Sequence, residues 1–239
     1  MNVLIVHAHP EPQSFCSAMK DLALATLSGA GHAVQCSDLY AMNWNPLASA
    51  ADFLERNDPD YLVYALEQRH GHERQALAAD IACELDKLLW ADLLILNFPL
   101  YWCSLPAMLK GWVDRVLVSG ACYGGRRFYD RGGLVGKRAL LSFTLGAQAH
   151  MFAGETAVHG ELQLMLRPLL RGTLAYAGLT VLPPFAAYHV PYLEAAARRR
   201  LLDDYREHLL NLERLSPLAM PSLADFDRHL QPLPCEVPT

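Results

Sequence analysis

Apolar runs of strand length alternate along this chain with segments whose apolar residues return every three or four positions. The clearest pair lies near the middle. Asp92-Leu93-Leu94-Ile95-Leu96 is almost unbroken in its apolar character, the pattern of a strand buried on both faces of a parallel sheet. Beyond it Met108, Leu109, Trp112, Val113 and Val116 recur at helical spacing behind Pro106, which suits a first helical turn. The same alternation predicts strands over Asn2 to His7, Ala33 to Leu39, Asp92 to Phe98, Arg138 to Thr144 and Thr180 to Phe185. Helices are predicted after Ser14 as far as Gly29-Ala30-Gly31, over Ala76 to Trp90, Leu105 to Val118, about Gly160 to Ala177, and roughly Tyr192 to Leu212. A polar excursion from Asn43 to about Gln75 interrupts the alternation. Right-handed crossovers and short connections favour an α/β fold, a doubly wound parallel sheet of five strands in the order 2-1-3-4-5, over a barrel, which needs eight units. One domain is expected over residues 1–215. The proline-rich tail, 216–239, is expected to pack over that domain or over a partner.

A chain of 239 residues is long enough for one substantial core. A net charge of −5 and a pI near 6.0 offer no basic field, so nucleic acid is not an expected partner. No stretch reaches membrane-spanning length, and the start is apolar without a basic leader, so a cytoplasmic protein without an integral membrane segment is expected. Six cysteines (Cys16, Cys36, Cys83, Cys103, Cys122 and Cys235) show no CxxC pairing and read as reduced thiols, mostly buried.

Several chemistries lose support. No GxxxxGK[ST] loop and no GxSxG elbow occurs, and Gly29-Ala30-Gly31 follows a helix rather than opening one, so it is a helix stop and not a dinucleotide fingerprint. His7-Ala8-His9 lacks further ligands at workable spacing, and no metal site is expected. An anion suits that place better. His9 ends the first strand, and Ser14, Phe15, Cys16 and Ser17 open the next helix, whose free N–H groups and positive end could seat a pyrophosphate; Ser14 could equally serve as a plain cap. The loop from Pro99 to Leu105 leaves the carboxyl end of a central strand and carries aromatics suited to a planar heterocycle, although Tyr101 and Trp102 could be rim packing of an ordinary βα unit. Thr144-Leu145-Gly146-Ala147 follows the fourth strand with small residues that allow close backbone approach, or forms a bare turn.

The segment from Asn97 to Arg115, with its Phe98-Pro99-Leu100, Trp102 and Lys110-Gly111-Trp112, resembles the flavin-contacting loop and helix of the NAD(P)H quinone oxidoreductases of the DT-diaphorase type, in the flavodoxin-like superfamily. The likeness runs from about Met1 to Leu223. It implies a flavodoxin-like fold and a flavin held by His9, Ser14, Phe15, Cys16 and Ser17 in the first loop, by Pro99, Leu100, Tyr101, Trp102 and Cys103 in the second, and by Thr144, Leu145, Gly146 and Ala147 in the third. Arg198 corresponds to an arginine near the adenine end of the cofactor, or is one charge of a solvated Arg198-Arg199-Arg200 face. His159-Gly160-Glu161 resembles the family's histidine-glycine-acid motif, which implies that His159, with Phe152 and Gly146, is catalytic. A substrate pocket of Tyr123, Gly125, Phe128, Trp102, Phe152 and His159 is implied as well. The chain departs from the family at Cys16 in place of asparagine, Cys103 and Phe152 in place of aromatics (a tyrosine at 152), and Gly125 in place of a second tyrosine. The activity implied is two-electron ping-pong hydride transfer from NAD(P)H to a quinone or related electrophile, with FAD favoured over FMN. A homodimer is implied by the family's shared pockets and by the excursion from Asp38 to Pro46. Related proteins also imply an alternative, an ancillary subunit of a potassium-efflux transporter.

Overall fold

A computed structural model describes residues 1–234, so Cys235 lies outside the described residues. Strands β1 (Asn2–His7), β2 (Ala33–Asp38), β3 (Leu93–Pro99), β4 (Arg138–Thr144), β5 (Thr180–Val181) and β6 (Phe185–Ala187) form one sheet, every pair parallel, in the order β2-β1-β3-β4-β5, with β6 also on β4. The expected fifth strand is therefore two strands. Pro183-Pro184 cannot donate to a ladder, so pairing stops at Val181 and resumes at Phe185.

Helices α1 (Phe15–Gly29), α2 (Tyr64–Glu73), α3 (Ala79–Trp90), α4 (Ala107–Val116), α5 (Leu162–Met165), α6 (Arg167–Leu169) and α7 (Ala195–Leu210) supply the outer layers. Alternate strand residues face opposite ways. Val3, Ile5, Leu93, Ile95 and Leu140 meet Met19, Leu27 and Leu209 of α1 and α7. Leu4, Val6, Leu94, Leu96 and Leu141 meet Ile81, Leu85, Leu109 and Trp112 of α3 and α4. Two expectations change here. The polar excursion holds a helix, α2, whose Gln68 Nε2 donates to the Asp114 carbonyl at 3.1 Å. The helix expected over 160–177 is broken into α5, α6 and a π-helical turn at Leu170–Ala175, because Pro168 lacks the N–H that a continuous helix would use.

Arg115 pins the excursion to α4. Its guanidinium is 3 % exposed, pairs with Asp52 at 2.8 Å and Asp80 at 2.7 Å, donates to the Asn45 carbonyl at 2.9 Å and lies 4.6 Å over the Trp44 ring. Gly111 makes that approach possible, since a Cβ there would overlap the Pro46 backbone. The described part of the tail, 216–234, lies on the domain of its own chain. Leu218 N–H donates to the Val181 carbonyl at 2.9 Å, and Asp130 accepts from the Ser222 hydroxyl at 2.7 Å and the Leu223 amide at 3.0 Å. Of the five described cysteines, all free, only Cys16 and Cys122 are buried; Cys36 is half-buried, and Cys83 and Cys103 are exposed, fewer buried than expected.

Candidate active site at the carboxyl ends of the strands

Three loops leave the carboxyl ends of β1, β3 and β4 side by side, because parallel neighbours end together. In the first, the Glu11 amide donates to His9 Nδ1 at 3.0 Å, which puts the proton of the neutral ring on Nε2. Burial lowers the His9 pKa, so the ring is neutral at pH 7. Ser14 caps α1 by accepting from the Ser17 amide at 3.0 Å. The amides of Phe15 and Cys16, first in the helix, donate to no protein atom among the described residues. Burial pushes the Cys16 thiol up to about 12, so it lines the site as a protonated group and not as a nucleophile.

The second loop is a tight reversal. Tyr101 and Ser104 exchange backbone hydrogen bonds of 3.1 and 2.9 Å, and between them Trp102 and Cys103 hold left-handed φ values of 48° and 59°. Such backbone costs a non-glycine residue roughly 1–2 kcal/mol, yet the indole it displays is fully exposed and touches nothing that repays it. Cys103 beside it is exposed too. In the third loop the carbonyls of Leu145, Gly146 and Ala147 accept from the Val190 amide at 3.1 Å, His189 Nδ1 at 3.0 Å and the His189 amide at 3.0 Å. The amides of Gly146 and Ala147 have no protein acceptor among the described residues. A Cβ on Gly146 would meet only Tyr192 Cε2, at 4.0 Å, so the protein's own packing does not require glycine there.

Between the loops lies a cleft of about 250 Å³ whose walls bring together His9, Ser14, Phe15, Cys16, Pro99, Leu100, Tyr101, Thr144, Leu145 and Gly146. Val190 and Pro191 complete it. Neither was signalled by the sequence, since they fall between a strand and a helix in a stretch without periodicity. Ser17 sits beneath the first loop, 2 % exposed, and not in the wall. Trp102, Cys103 and Ala147 flank the cleft in sequence without lining it, and Arg198 is exposed on α7, outside it. Phe152 and His159 form a separate pair, ring centroids 5.0 Å apart, with the Tyr188 ring 6.0 Å from that of Phe152. Tyr123 and Phe128 lie elsewhere again, packed on Tyr176 at 5.9 and 5.6 Å, and Gly125 is exposed at left-handed φ in the same loop. A single chain therefore assembles most of the cofactor residues implied by the sequence but not the substrate residues. Among the described residues no group of His, Cys, Asp and Glu has the geometry to hold a metal ion.

A family model described as flavodoxin-like fold matches residues 1–209. The chain is 40% identical over 217 residues to ribosyldihydronicotinamide dehydrogenase [quinone] of Pongo abelii, covering 90% of this chain and 94% of the relative. The chain belongs to the flavodoxin-like quinone oxidoreductases. Within that family it is also 39% identical over 229 residues to NAD(P)H dehydrogenase [quinone] 1 of Rattus norvegicus, 95% of this chain and 83% of the relative. A crystal structure described as a quinone reductase of Klebsiella pneumoniae superposes with a TM-score of 0.86 at 35% identity, over 97% of this chain and 90% of the other. The transporter alternative has a narrower likeness, 37% identity to a potassium-efflux ancillary protein of Enterobacter over 54% of this chain. The two quinone dehydrogenases and the quinone reductase above each match most of the chain, and the cleft fits the group that they imply. It offers apolar and aromatic walls, unpaired helix-terminal amides at one end and an unpaired loop amide at Gly146, with that of Ala147 beside it.

Proposed function

We propose that this protein is a flavin-dependent NAD(P)H:quinone oxidoreductase, binding FAD rather than FMN and acting as a homodimer. The observation that carries the reading is the convergence of three separate loops, His9 to Cys16, Pro99 to Tyr101 and Thr144 to Gly146, on one cleft rich in unpaired backbone donors. A bound flavin supplies the two-electron redox chemistry. The chain supplies the rest. The Phe15 and Cys16 amides and the Ser14 hydroxyl would hold the flavin's phosphate at the positive end of α1. Leu100 and Tyr101 would present an apolar face to its ring, and the Gly146 and Ala147 amides would supply donors that stabilise negative charge on it. His159, apart from the cleft in a single chain, would contribute a donor in the completed pocket; it is held by its contact with Phe152 and by its amide, which donates to the Met151 carbonyl at 2.9 Å.

Dimerisation explains what one chain leaves apart. Tyr123 and Phe128 lie away from the cleft of the same chain, and Trp102 is fully exposed beside it, as expected if a second copy completes the pocket. The free thiols support a reducing, cytoplasmic setting. FAD is preferred on the resemblance to the longer family members. The decisive experiment is the absorption spectrum and mass of the cofactor that copurifies, followed by steady-state oxidation of NADH, NADPH and ribosyldihydronicotinamide with a quinone acceptor. A yellow protein with FAD released on heating and quinone-dependent turnover is expected. A colourless protein that takes up neither FAD nor FMN would overturn the reading.

A further inference from the structure

Beneath the first loop runs a buried polar row that the flavin reading does not use. His7, Asn97 and Ser142 are in register across β1, β3 and β4, all within 1 % of full burial. His7 Nδ1 lies 2.6 Å from Asn97 Oδ1, and its Nε2 lies 3.2 Å from the Ser17 hydroxyl. The Ser17 hydroxyl is in turn 3.0 Å from the Ser14 hydroxyl and 3.0 Å from the Glu11 carbonyl. The chain His7-Ser17-Ser14 thus leads from the centre of the sheet to the cap of α1, in the wall of the cleft.

Counting protons along this chain gives two states. The short contact to an amide oxygen puts a proton on Nδ1 of His7 in both. With neutral His7, Nε2 is an acceptor, so the Ser17 hydroxyl donates to it and the Ser14 hydroxyl donates to Ser17. With charged His7, Nε2 donates to Ser17 and the Ser17 proton turns to the Glu11 carbonyl; Ser17 can still accept from Ser14 through its second lone pair, so the Ser14 proton stays there or turns to an anion in the cleft. Protonation therefore adds a positive charge below the end of α1, and that charge favours an anion.

We propose that His7 is a proton-linked positioning residue for the phosphate end of the cofactor: pyrophosphate bound at α1 and a proton on His7 stabilise each other through Ser17 and Ser14. This rests on the flavin reading. Around His7, Asp38 on β2 favours its charged form, Lys20 on α1 and His9 in the loop oppose it, and Cys16 on α1 is an uncharged thiol; Tyr205 of α7 is buried further along the row. Burial holds His7 below its ordinary value, so the empty protein is neutral there at pH 7 and has a proton to gain. By linkage, affinity rises as pH falls through the His7 pKa of the bound form and levels off below that of the free form.

The test is titration of the apoprotein with FAD, followed by flavin fluorescence, from about pH 8 to pH 5. FAD suits it because its pyrophosphate keeps a constant charge there, and riboflavin, with no phosphate, is the control. Affinity for FAD is expected to rise about tenfold towards acid pH, the change produced when a bound anion raises His7 by one pH unit. Riboflavin should show no such rise. His7→Gln should flatten the FAD profile, Ser17→Ala should reduce its slope, and His9→Gln should keep it. Nitrogen NMR of labelled histidine offers a readout independent of affinity, in which the His7 midpoint moves up on adding FAD. FAD binding that is flat with pH, a slope that survives His7→Gln, or one that vanishes in His9→Gln would overturn this inference alone. Absence of FAD binding at every pH would overturn the FAD reading and this inference with it.

Discussion

The Phe152 ring faces the His159 imidazole with centroids 5.0 Å apart and planes inclined by 37°, a contact that orients the imidazole without any hydrogen bond to it. If His159 stabilises charge at the cofactor, His159→Ala slows reduction of the bound flavin by roughly ten- to a thousand-fold, the range of one lost electrostatic or acid–base contribution. Phe152→Tyr adds a hydroxyl to a ring that is 8 % exposed and is expected to change the rate modestly, in the upward direction. Stopped-flow reduction by NADH and by NADPH measures both, and a His159→Ala protein reduced as fast as its parent would remove His159 from the mechanism.

Trp102 predicts a separation of stability from function. Its left-handed backbone is unfavourable and its side chain has no protein contact. Trp102→Gly is therefore expected to raise the stability of the apoprotein by about 1 kcal/mol while weakening flavin retention and turnover. Trp102→Ala keeps the backbone cost and loses the same ring. Denaturant unfolding of the apoproteins and flavin titration check the pair; a less stable apoprotein in Trp102→Gly would mean that the indole packs on its own chain.

The Arg115 cluster predicts an acid limit. Burial alone would raise the Asp52 carboxyl, but hydrogen bonds from Arg115, Tyr64 and the Ser49 amide outweigh it and hold its pKa below the ordinary carboxylate value. The folded value lies below the unfolded one, near 3.9, so this contribution is present above about pH 4 and is lost as pH falls through the folded value. Asp52→Asn leaves Arg115 buried with only the partly exposed Asp80 as counter-ion and is expected to cost about 3–5 kcal/mol. Urea unfolding at pH 7 and again near pH 3, below the unfolded value, measures it, and the variant should lose less stability than its parent between the two.

The dimer is expected to be the active unit. Sedimentation or light scattering of the flavin-loaded protein should show twice the chain mass of 26.6 kDa across working concentrations. A monomer with full quinone turnover would show that Tyr123 and Phe128 play no part in the pocket.

The order of the sheet was legible because β1, β3 and β4 are buried on both faces and so read as unbroken apolar runs. Helix α2 was not. Its buried residues include Glu67, Gln68 and Gly71, polar or bare positions that carry no hydrophobic period, and Glu67 earns its place by accepting from the Asn57 and Asp58 amides at 2.8 and 3.0 Å. The loop motifs around His9, Leu100 and Thr144 were readable because they resemble those of a known family, and the folded chain brings all three to one cleft. Val190 and Pro191 were not, since a wall residue needs only bulk. The polar row beneath the cleft could not be foreseen either: His7, Asn97 and Ser142 are spread over most of the chain, and only the pairing of β1, β3 and β4 sets them side by side.

The split of the last strand also bears on how the protein is made. The third loop is braced by residues that leave the ribosome late: the Ala187 carbonyl accepts from the Leu145 amide at 3.0 Å, and His189 and Val190 grip the carbonyls beside it. A nascent chain that has emerged only as far as β5 already owns all three loops, yet it lacks the wall at Val190 and Pro191 and the contacts that set Gly146 in place. Such a chain holds an incomplete cleft. If the cleft seats the proposed cofactor, secure retention is thereby postponed until synthesis is well advanced, and a chain truncated by early termination would hold its ligand less firmly and, with less ligand stabilisation, would be the more readily degraded.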